Sequence, residues 1–321
     1  MPGPARHVDV VRELHTERVC EELRHAGLSV DLYSFPAGEP YKTRETWALV
    51  SDAMLEAGCG RDTALLAFGG GVPGDLGGFV AATYMRGLPF VQVPTSLLAM
   101  IDASVGGKTG VDTPAGKNLV GAFHQPHCVV IDPELLQTLP EAHLRAGMAE
   151  AVKHGAIADA EYLRWIDENA EALLAGEPQA LARLIVRSVE IKAEIVARDE
   201  KESGPRKLLN FGHTIAHAVE AVSGYAMLHG EAVAVGMVEE ARIGERSGVT
   251  ASGTAARLRN LLTKIGLPTS LPIDFAADQV IDWTRTDKKA RNGRVEYALI
   301  QEIGTPLAAR EGRWGHPVAE C

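Results

Sequence analysis

Cysteine is scarce in this 321-residue chain and widely scattered: Cys20, Cys59, Cys128 and Cys321 form no CxxC pair. That argues against a disulfide framework or a cysteine-ligated zinc ribbon, and it suits a reducing cytoplasm. No apolar run approaches the roughly 20 residues that a bilayer span needs, and the N-terminal MPGPARHVD has no apolar core of a secretion signal. Positive charge is also in deficit, with 32 Lys and Arg against 42 Asp and Glu and a formal net charge of -10. That balance argues against nucleic acid or an anionic membrane as the main partner, because both favour basic surfaces. An anionic substrate must therefore meet positive charge gathered locally. HExxH is absent, which removes the general base of a zincin. Internal repeats and low-complexity tracts are absent as well.

What is present is an ordinary globular composition, 46% hydrophobic, of a length that suits two domains with separate cores. The first part alternates helical and strand-like signals, as a parallel sheet with crossover helices does. Residues 11–26 read as an amphipathic helix, 30–35 as a strand, 43–57 as a helix and 64–68 as a short apolar strand. A helix running to Met85, a strand over 90–93 and a buried strand over 128–131 extend the pattern. After Pro140 the texture becomes helical, over 141–176, 178–199, 212–223 and 231–247, with one short strand at 295–300. The expected architecture is an α/β, Rossmann-like nucleotide-binding domain over 1–139 followed by a mostly α-helical domain over 140–321.

Gly69, Gly70 and Gly71 follow the strand at 64–68 and precede a helix. Backbone N–H groups without a Cβ in the way can approach a pyrophosphate there, although a tight strand-to-helix turn would also use glycine. Asp75 either bonds a sugar hydroxyl or caps the helix. A second glycine-rich stretch, residues 101–118, reads as a loop and embeds Lys108, Lys117 and Asn118 just after the PTS at 94–96. Two lysines among glycines are suited to phosphate as point charges.

The segment from Arg206 to Glu231 holds three histidines. His213 and His217 stand four apart, which on a helix puts both imidazoles on one face, and His229 is a third candidate metal ligand. Helix capping or chance spacing accounts for the pair equally well.

Taken together, GGGVPGDLGGFVAATYMRG, VPTSLLAMIDASVGGKTGVDTPAGKNLVGAFHQP, GMAEAVKHG, KAEIVARDEKE, LLNFGHTIAHAVE and LHGEAVAVGM resemble 3-dehydroquinate synthase in order and spacing, from about Val11 onward. The resemblance implies a shikimate-pathway lyase that turns 3-deoxy-D-arabino-heptulosonate 7-phosphate into 3-dehydroquinate and phosphate. It implies NAD and a divalent metal, zinc or cobalt, and a homodimer acting on a phosphorylated sugar acid. By that matching the metal ligands are Glu150, His213 and His229, and His217 contacts substrate instead. Lys153, Lys192, Arg206 and one of Lys288 and Lys289, taken as Lys288, surround the substrate, with Lys192 and Arg206 suited to its carboxylate. Lys108, Asn118, Asn210 and His217 match positions near the phosphate and the reacting hydroxyls, and Arg86 matches an arginine that reaches into the partner's site. Cofactor contacts match Glu39, Lys42, Gly70, Gly71, Asp75, Thr95, Ser96, Asp102, Lys117 and Thr138.

Two departures accompany the resemblance. The family's additional N-terminal strand and hairpin are not matched before Val8, so either weaker NAD binding or a miscalled start is expected, and Ala216 and Lys207 occupy less usual positions. The competing readings are another sugar-phosphate cyclase, an amino-dehydroquinate synthase, a metal-dependent polyol dehydrogenase and an inactive truncated homologue. Retention of Lys192, Asn210 and His217 favours the dehydroquinate synthase.

Overall fold

The computed structural model describes residues 11–224, 226–271, 277–286, 295–307 and 314–317. The chain divides into two compact units, Met1–Asp132 and Pro133–Cys321. In the first, helices α1 (Glu17–His25) and α2 (Arg44–Glu56) precede strand β1 (Leu65–Gly69), helix α3 (Gly71–Thr83) and strand β2 (Phe90–Pro94). Strands β3 (Lys108–Thr113) and β4 (Gly116–Phe123) form an antiparallel hairpin, and β5 (Cys128–Val129) completes a parallel sheet in the order β1-β2-β5. α2 begins where the Thr43 hydroxyl accepts the Thr46 N–H at 3.2 Å.

Three expectations need correction here. Residues 30–35 form no strand: a ladder requires a neighbour, and β1 ends the sheet among the described residues. The alternation read from the sequence is nevertheless used, because Tyr33 and Phe35 pack on the core and the Tyr33 hydroxyl donates to the Ala53 carbonyl. The strand expected over 128–131 is two residues long and lies at the sheet edge, with Val130 51% exposed, so its apolar run does not mark burial. The stretch over 101–118 is not a loop but a turn of helix followed by the hairpin. Its glycines serve close strand approach, since a Cβ on Gly121 would lie 2.1 Å from the Thr109 carbonyl oxygen.

α3 lies against the sheet and the hairpin through a face kept bare of side chains. A Cβ on Gly78 would come within 2.4 Å of the Thr109 methyl. Leu76, Phe79, Val80, Tyr84, Leu88, Phe90 and Val111 form the buried cluster that results.

The second unit is built around α4 (Glu141–Ala158), in which every residue from Ala146 to Ile157 is buried. A helix enclosed on all sides is the centre of a bundle, and charged groups on it are placed rather than solvated. The helical stretch expected over 141–176 is broken at Asp159, whose extended backbone (φ -152°) ends α4, and again at Asn169. These breaks give α5 (Ala160–Glu168) and α6 (Ala170–Leu174). α7 (Pro178–Arg198), α8 (His213–Val222), α9 (His229–Arg246), α10 (Thr254–Ile265) and α11 (Ala277–Thr286) follow. The strand expected at 295–300 is two fragments, β6 (Glu296–Tyr297) and β7 (Ile300–Glu302), paired with β9 (His316–Pro317) and β8 (Thr305–Pro306) respectively.

α9 meets α4 at Gly230, where a Cβ would stand 1.9 Å from the Ala146 carbonyl oxygen. Backbone cannot give way as a side chain can. Gly230→Ala is expected to lower stability by about 1–3 kcal/mol in urea unfolding, and an unchanged midpoint would contradict the close packing described.

Candidate functional site

The central feature of the second unit is one carboxylate facing two imidazoles. Glu150, on the enclosed helix α4, is wholly buried, and its Oε1 lies 3.6 Å from His213 Nε2 and 3.4 Å from His229 Nε2. The ligand-capable atoms of these three residues all fall within 4.8 Å of one another. Each imidazole is oriented from its other side: His213 Nδ1 is 3.3 Å from the Phe211 carbonyl, and His229 Nδ1 is 3.4 Å from Glu220 Oε1. Nδ1 engagement leaves Nε2 directed at Glu150, the arrangement by which partner groups fix metal-binding histidines. A carboxylate with two imidazoles suits zinc or cobalt.

The two imidazoles beside Glu150 are shifted in opposite senses. Burial and the neighbouring Lys153 ammonium push His213 well below the usual imidazole value. Burial acts in the same sense on His229, yet its hydrogen bonds to Glu150 and Glu220 outweigh it and raise that imidazole to about 10. Lys153, one helical turn from Glu150, is buried and forms an ion pair with Glu150 Oε2. His217 stands edge-on to His213 at 5.6 Å between ring centroids, outside the group of three. The i,i+4 pair thus lies on one face as expected, but the carboxylate gathers His229 rather than His217.

A second constellation surrounds the turn before α8. Asp199 accepts the backbone N–H groups of Ser203, Gly204 and Arg206 at 2.9, 2.6 and 3.1 Å. These bonds knot residues 199–206 so that Arg206 is 2% exposed and donates to the Glu200 carbonyl. Asn210 donates to Glu202 Oε1 at 2.5 Å, and Lys192 on α7 is 6% exposed. Burial tends to raise the Asp199 carboxyl, but the three N–H donors hold it below its ordinary value.

In the first unit, buried Lys42 gathers three carboxylates: Glu39 at 2.7 Å, Asp75 at 3.2 Å and Asp112 at 3.7 Å. Despite burial they raise the Lys42 ammonium. Lys117 stands 4.0 Å from Glu39, and Asp112 Oδ1 accepts the Asn118 N–H at 2.8 Å. Burial raises the Asp112 carboxyl. Gly70 begins α3 without a side-chain cap, so the helix's first N–H groups lie open to an anion, and the Gly69 carbonyl accepts from Thr95 at 2.9 Å. Ser96 lies beside Gly70, and Asp102 is half-buried in the helical turn that follows.

Four described residues other than glycine have positive φ: Met85 (46°), Arg86 (72°), Asn118 (52°) and Glu202 (58°). Arg86 and Asn118 are both expected site residues, and such strain persists where surrounding structure fixes a functional conformation. Lys108 begins β3 and is exposed. Thr138 lies in the second unit with its hydroxyl donating to the Leu135 carbonyl. Lys288 and Lys289 lie outside the described residues.

Sequence reading missed Asp112, Asp199, Glu202 and Glu220. Glu220 had a usable signal, since it follows His213 by two helical turns and so shares its face. The others act through loop geometry that no spacing announces.

Asp199 generates a test with a definite sign. Its folded-state value lies below the unfolded one, so its contribution is complete above roughly pH 4 and is lost as pH falls through the folded value. Asp199→Asn is expected to lose about 1.5–3 kcal/mol at pH 7, with the gap from wild type closing as pH approaches 3 in denaturant unfolding. A gap independent of pH would contradict this.

The family description "3-dehydroquinate synthase N-terminal" matches residues 32–146 and "3-dehydroquinate synthase C-terminal" matches residues 147–290. A 3-dehydroquinate synthase of Caulobacter vibrioides is 46% identical over 320 residues, covering 96% of this chain and 86% of that protein. The 2-epi-5-epi-valiolone synthase of Streptomyces hygroscopicus, solved with NAD+ and Zn2+, is 31% identical with a TM-score of 0.86, over 93% of this chain and 84% of that one. A 2-deoxy-scyllo-inosose synthase solved with carbaglucose-6-phosphate, NAD+ and Co2+ is 28% identical with a TM-score of 0.86, over 94% and 83% of the two chains. With matching descriptions running from residue 32 to residue 290, this chain belongs to the 3-dehydroquinate synthase family.

Proposed function

We propose that the protein is a 3-dehydroquinate synthase, an NAD- and metal-dependent lyase converting 3-deoxy-D-arabino-heptulosonate 7-phosphate into 3-dehydroquinate and phosphate. The observation that carries this reading is the convergence of Glu150, His213 and His229 on one buried point, in a chain of this family. These three residues would hold the metal. Gly70, Gly71, Asp75, Thr95, Ser96, Asp102, Lys117 and Thr138, with Glu39 and Lys42, would hold NAD. Held there, the metal would supply Lewis acidity toward a substrate hydroxyl, and NAD would supply an acceptor and donor of hydride.

The chain's own residues bind and orient. Arg206 offers a planar, bidentate fork to the substrate carboxylate, with Lys192 supplying a second positive charge. Asp199 accepts the Arg206 backbone N–H and the Glu200 carbonyl accepts from its guanidinium, which seats the fork before substrate arrives and reduces the ordering cost at binding. Lys153, Asn210, His217 and Lys288 complete the substrate's surroundings, and Lys108 and Asn118 take the phosphate side. We assign Arg86, held at φ 72°, to the site of the partner in a homodimer, and the cytoplasm as the compartment. These local cations answer the question that the chain's net charge of -10 poses for an anionic substrate.

Similarity to the 2-deoxy-scyllo-inosose synthase solved with carbaglucose-6-phosphate supports a second reading, cyclisation of a phosphosugar without a carboxylate. Incubation of the purified protein with the heptulosonate phosphate, NAD and zinc or cobalt is expected to release phosphate and dehydroquinate one for one. Heptulose 7-phosphate and glucose 6-phosphate, lacking the carboxylate, are expected to give neither cyclised product nor phosphate. Absence of product from folded, metal-loaded protein overturns the assignment, and turnover of a carboxylate-free sugar supports the second reading. Glu150→Ala and His229→Ala are expected to abolish stoichiometric metal binding. His217→Ala should keep the metal and lose turnover by about a hundredfold or more, and metal loss in that variant would revise the ligand set.

A further inference from the structure

Glu240 lies on α9, about three turns beyond His229, and has no solvent exposure. Its carboxylate leaves its own helix to meet the start of another. Oε2 accepts the Gly212 N–H at 2.8 Å, and Oε1 accepts the N–H groups of Thr214 and Ile215 at 2.9 and 3.2 Å. α8 has no side-chain cap of its own at Gly212. The donors its first turn would leave unsatisfied are therefore supplied from α9, and a carboxylate is the group favoured at the positive end of a helix.

The residue held between these bonds is His213. The N–H before it and the two after it are tied to Glu240, so the imidazole is fixed by its backbone on both sides. Close packing enforces the same seating. Gly212 has φ 84°, and a Cβ there would lie 2.9 Å from the Met237 nitrogen. A Cβ on Gly236 would lie 1.9 Å from the Gly212 carbonyl oxygen. The first turn of α8 therefore rests on the main chain of α9, the helix whose first residue is His229. In the opposite direction, Glu220 of α8 reaches His229 Nδ1. The two helices thus brace one another through one carboxylate each.

Building on the metal-centre reading, we propose that Glu240 is a positioning residue for that centre: it fixes the distance between His213 Nε2 and His229 Nε2 by clamping the Gly212–Ile215 turn to α9. Glutamine cannot replace it, because one amide oxygen does not serve three donors placed on two sides, and the NH2 group would face the Gly212 N–H. Loss of the clamp lets the turn shift by tenths of an ångström, which a two-imidazole site registers directly. An effect of about 10–100-fold on metal affinity is the usual size for groups that hold a ligand in place.

The test is titration of the metal-free full-length protein with Co2+, following visible absorption, for wild type, Glu240→Gln and Glu240→Asp. Glu240→Asp keeps the charge but draws the carboxylate back by one carbon. Asp159→Asn serves as the comparison, since Asp159 caps α5 through the Tyr162 N–H at 2.9 Å and touches neither α8 nor α9 in that role. Wild type and Asp159→Asn are expected to show the same cobalt bands at one equivalent, whatever stability the latter loses. Both Glu240 variants are expected to shift the bands and weaken binding about 10–100-fold, and whichever variant stays folded supplies the answer. Cobalt bands and affinity equal to wild type in a folded Glu240 variant overturn the proposal and leave the metal centre standing. Failure of wild type itself to bind cobalt overturns the metal-centre reading and this proposal together.

Discussion

A carboxylate with no solvent exposure, on a helix with no exposed face over twelve consecutive residues, is the constraint on which the second unit depends. Transfer of such a charge out of water is costly unless it meets opposite charge and hydrogen-bond donors. Glu150 meets Lys153 one turn along its own helix and two imidazole Nε2 atoms from α8 and α9. The arrangement of those helices follows from that requirement. α9 presses main chain to main chain on α4 at Gly230, and α8 does so on α9 at Gly212 and Gly236, because a Cβ at those positions would hold the imidazoles away. Glu220 and Glu240 then lock the pair from opposite sides.

The first unit resolves a different charge problem. Lys42 pairs with three carboxylates within 3.7 Å, and Asp112 ties the segment carrying Glu39 and Lys42 to the hairpin end carrying Lys117 and Asn118. Its backbone takes part too, with the Asp112 N–H donating to the Lys42 carbonyl at 2.7 Å. Glycine plays one role there that it also plays in the second unit. It lets backbones approach, at Gly78 against β3 and at Gly121 against Thr109.

Legibility in the sequence followed the range of the interactions concerned. Helices α7, α8 and α9 were readable because apolar spacing and a glycine or proline at an end are local signals. Alternation over 30–35 reports which side chains face the core, while a strand also needs a neighbour that no local pattern specifies. The glycine-rich stretch over 101–118 has the composition of a loop for the opposite reason: its lack of side chains marks two strands pressed together. Within the site, the spacing of His213 and His217 does place both rings on one face, but it does not show that Glu150, far upstream, and Glu220, two turns beyond His213, stand beside His229. Resemblance to the family supplied Glu150, whereas Asp112, Asp199 and Glu240 emerged only from hydrogen bonds in the folded chain.

X-ray absorption at the zinc edge, on protein loaded with one equivalent of zinc, reads the ligands of the Glu150–His213–His229 centre. Metal held by these three gives only nitrogen and oxygen neighbours at roughly 2.0–2.2 Å, with multiple scattering from two imidazoles. Three imidazoles, which would bring in His217, or a sulfur neighbour at roughly 2.3 Å would contradict that ligand set.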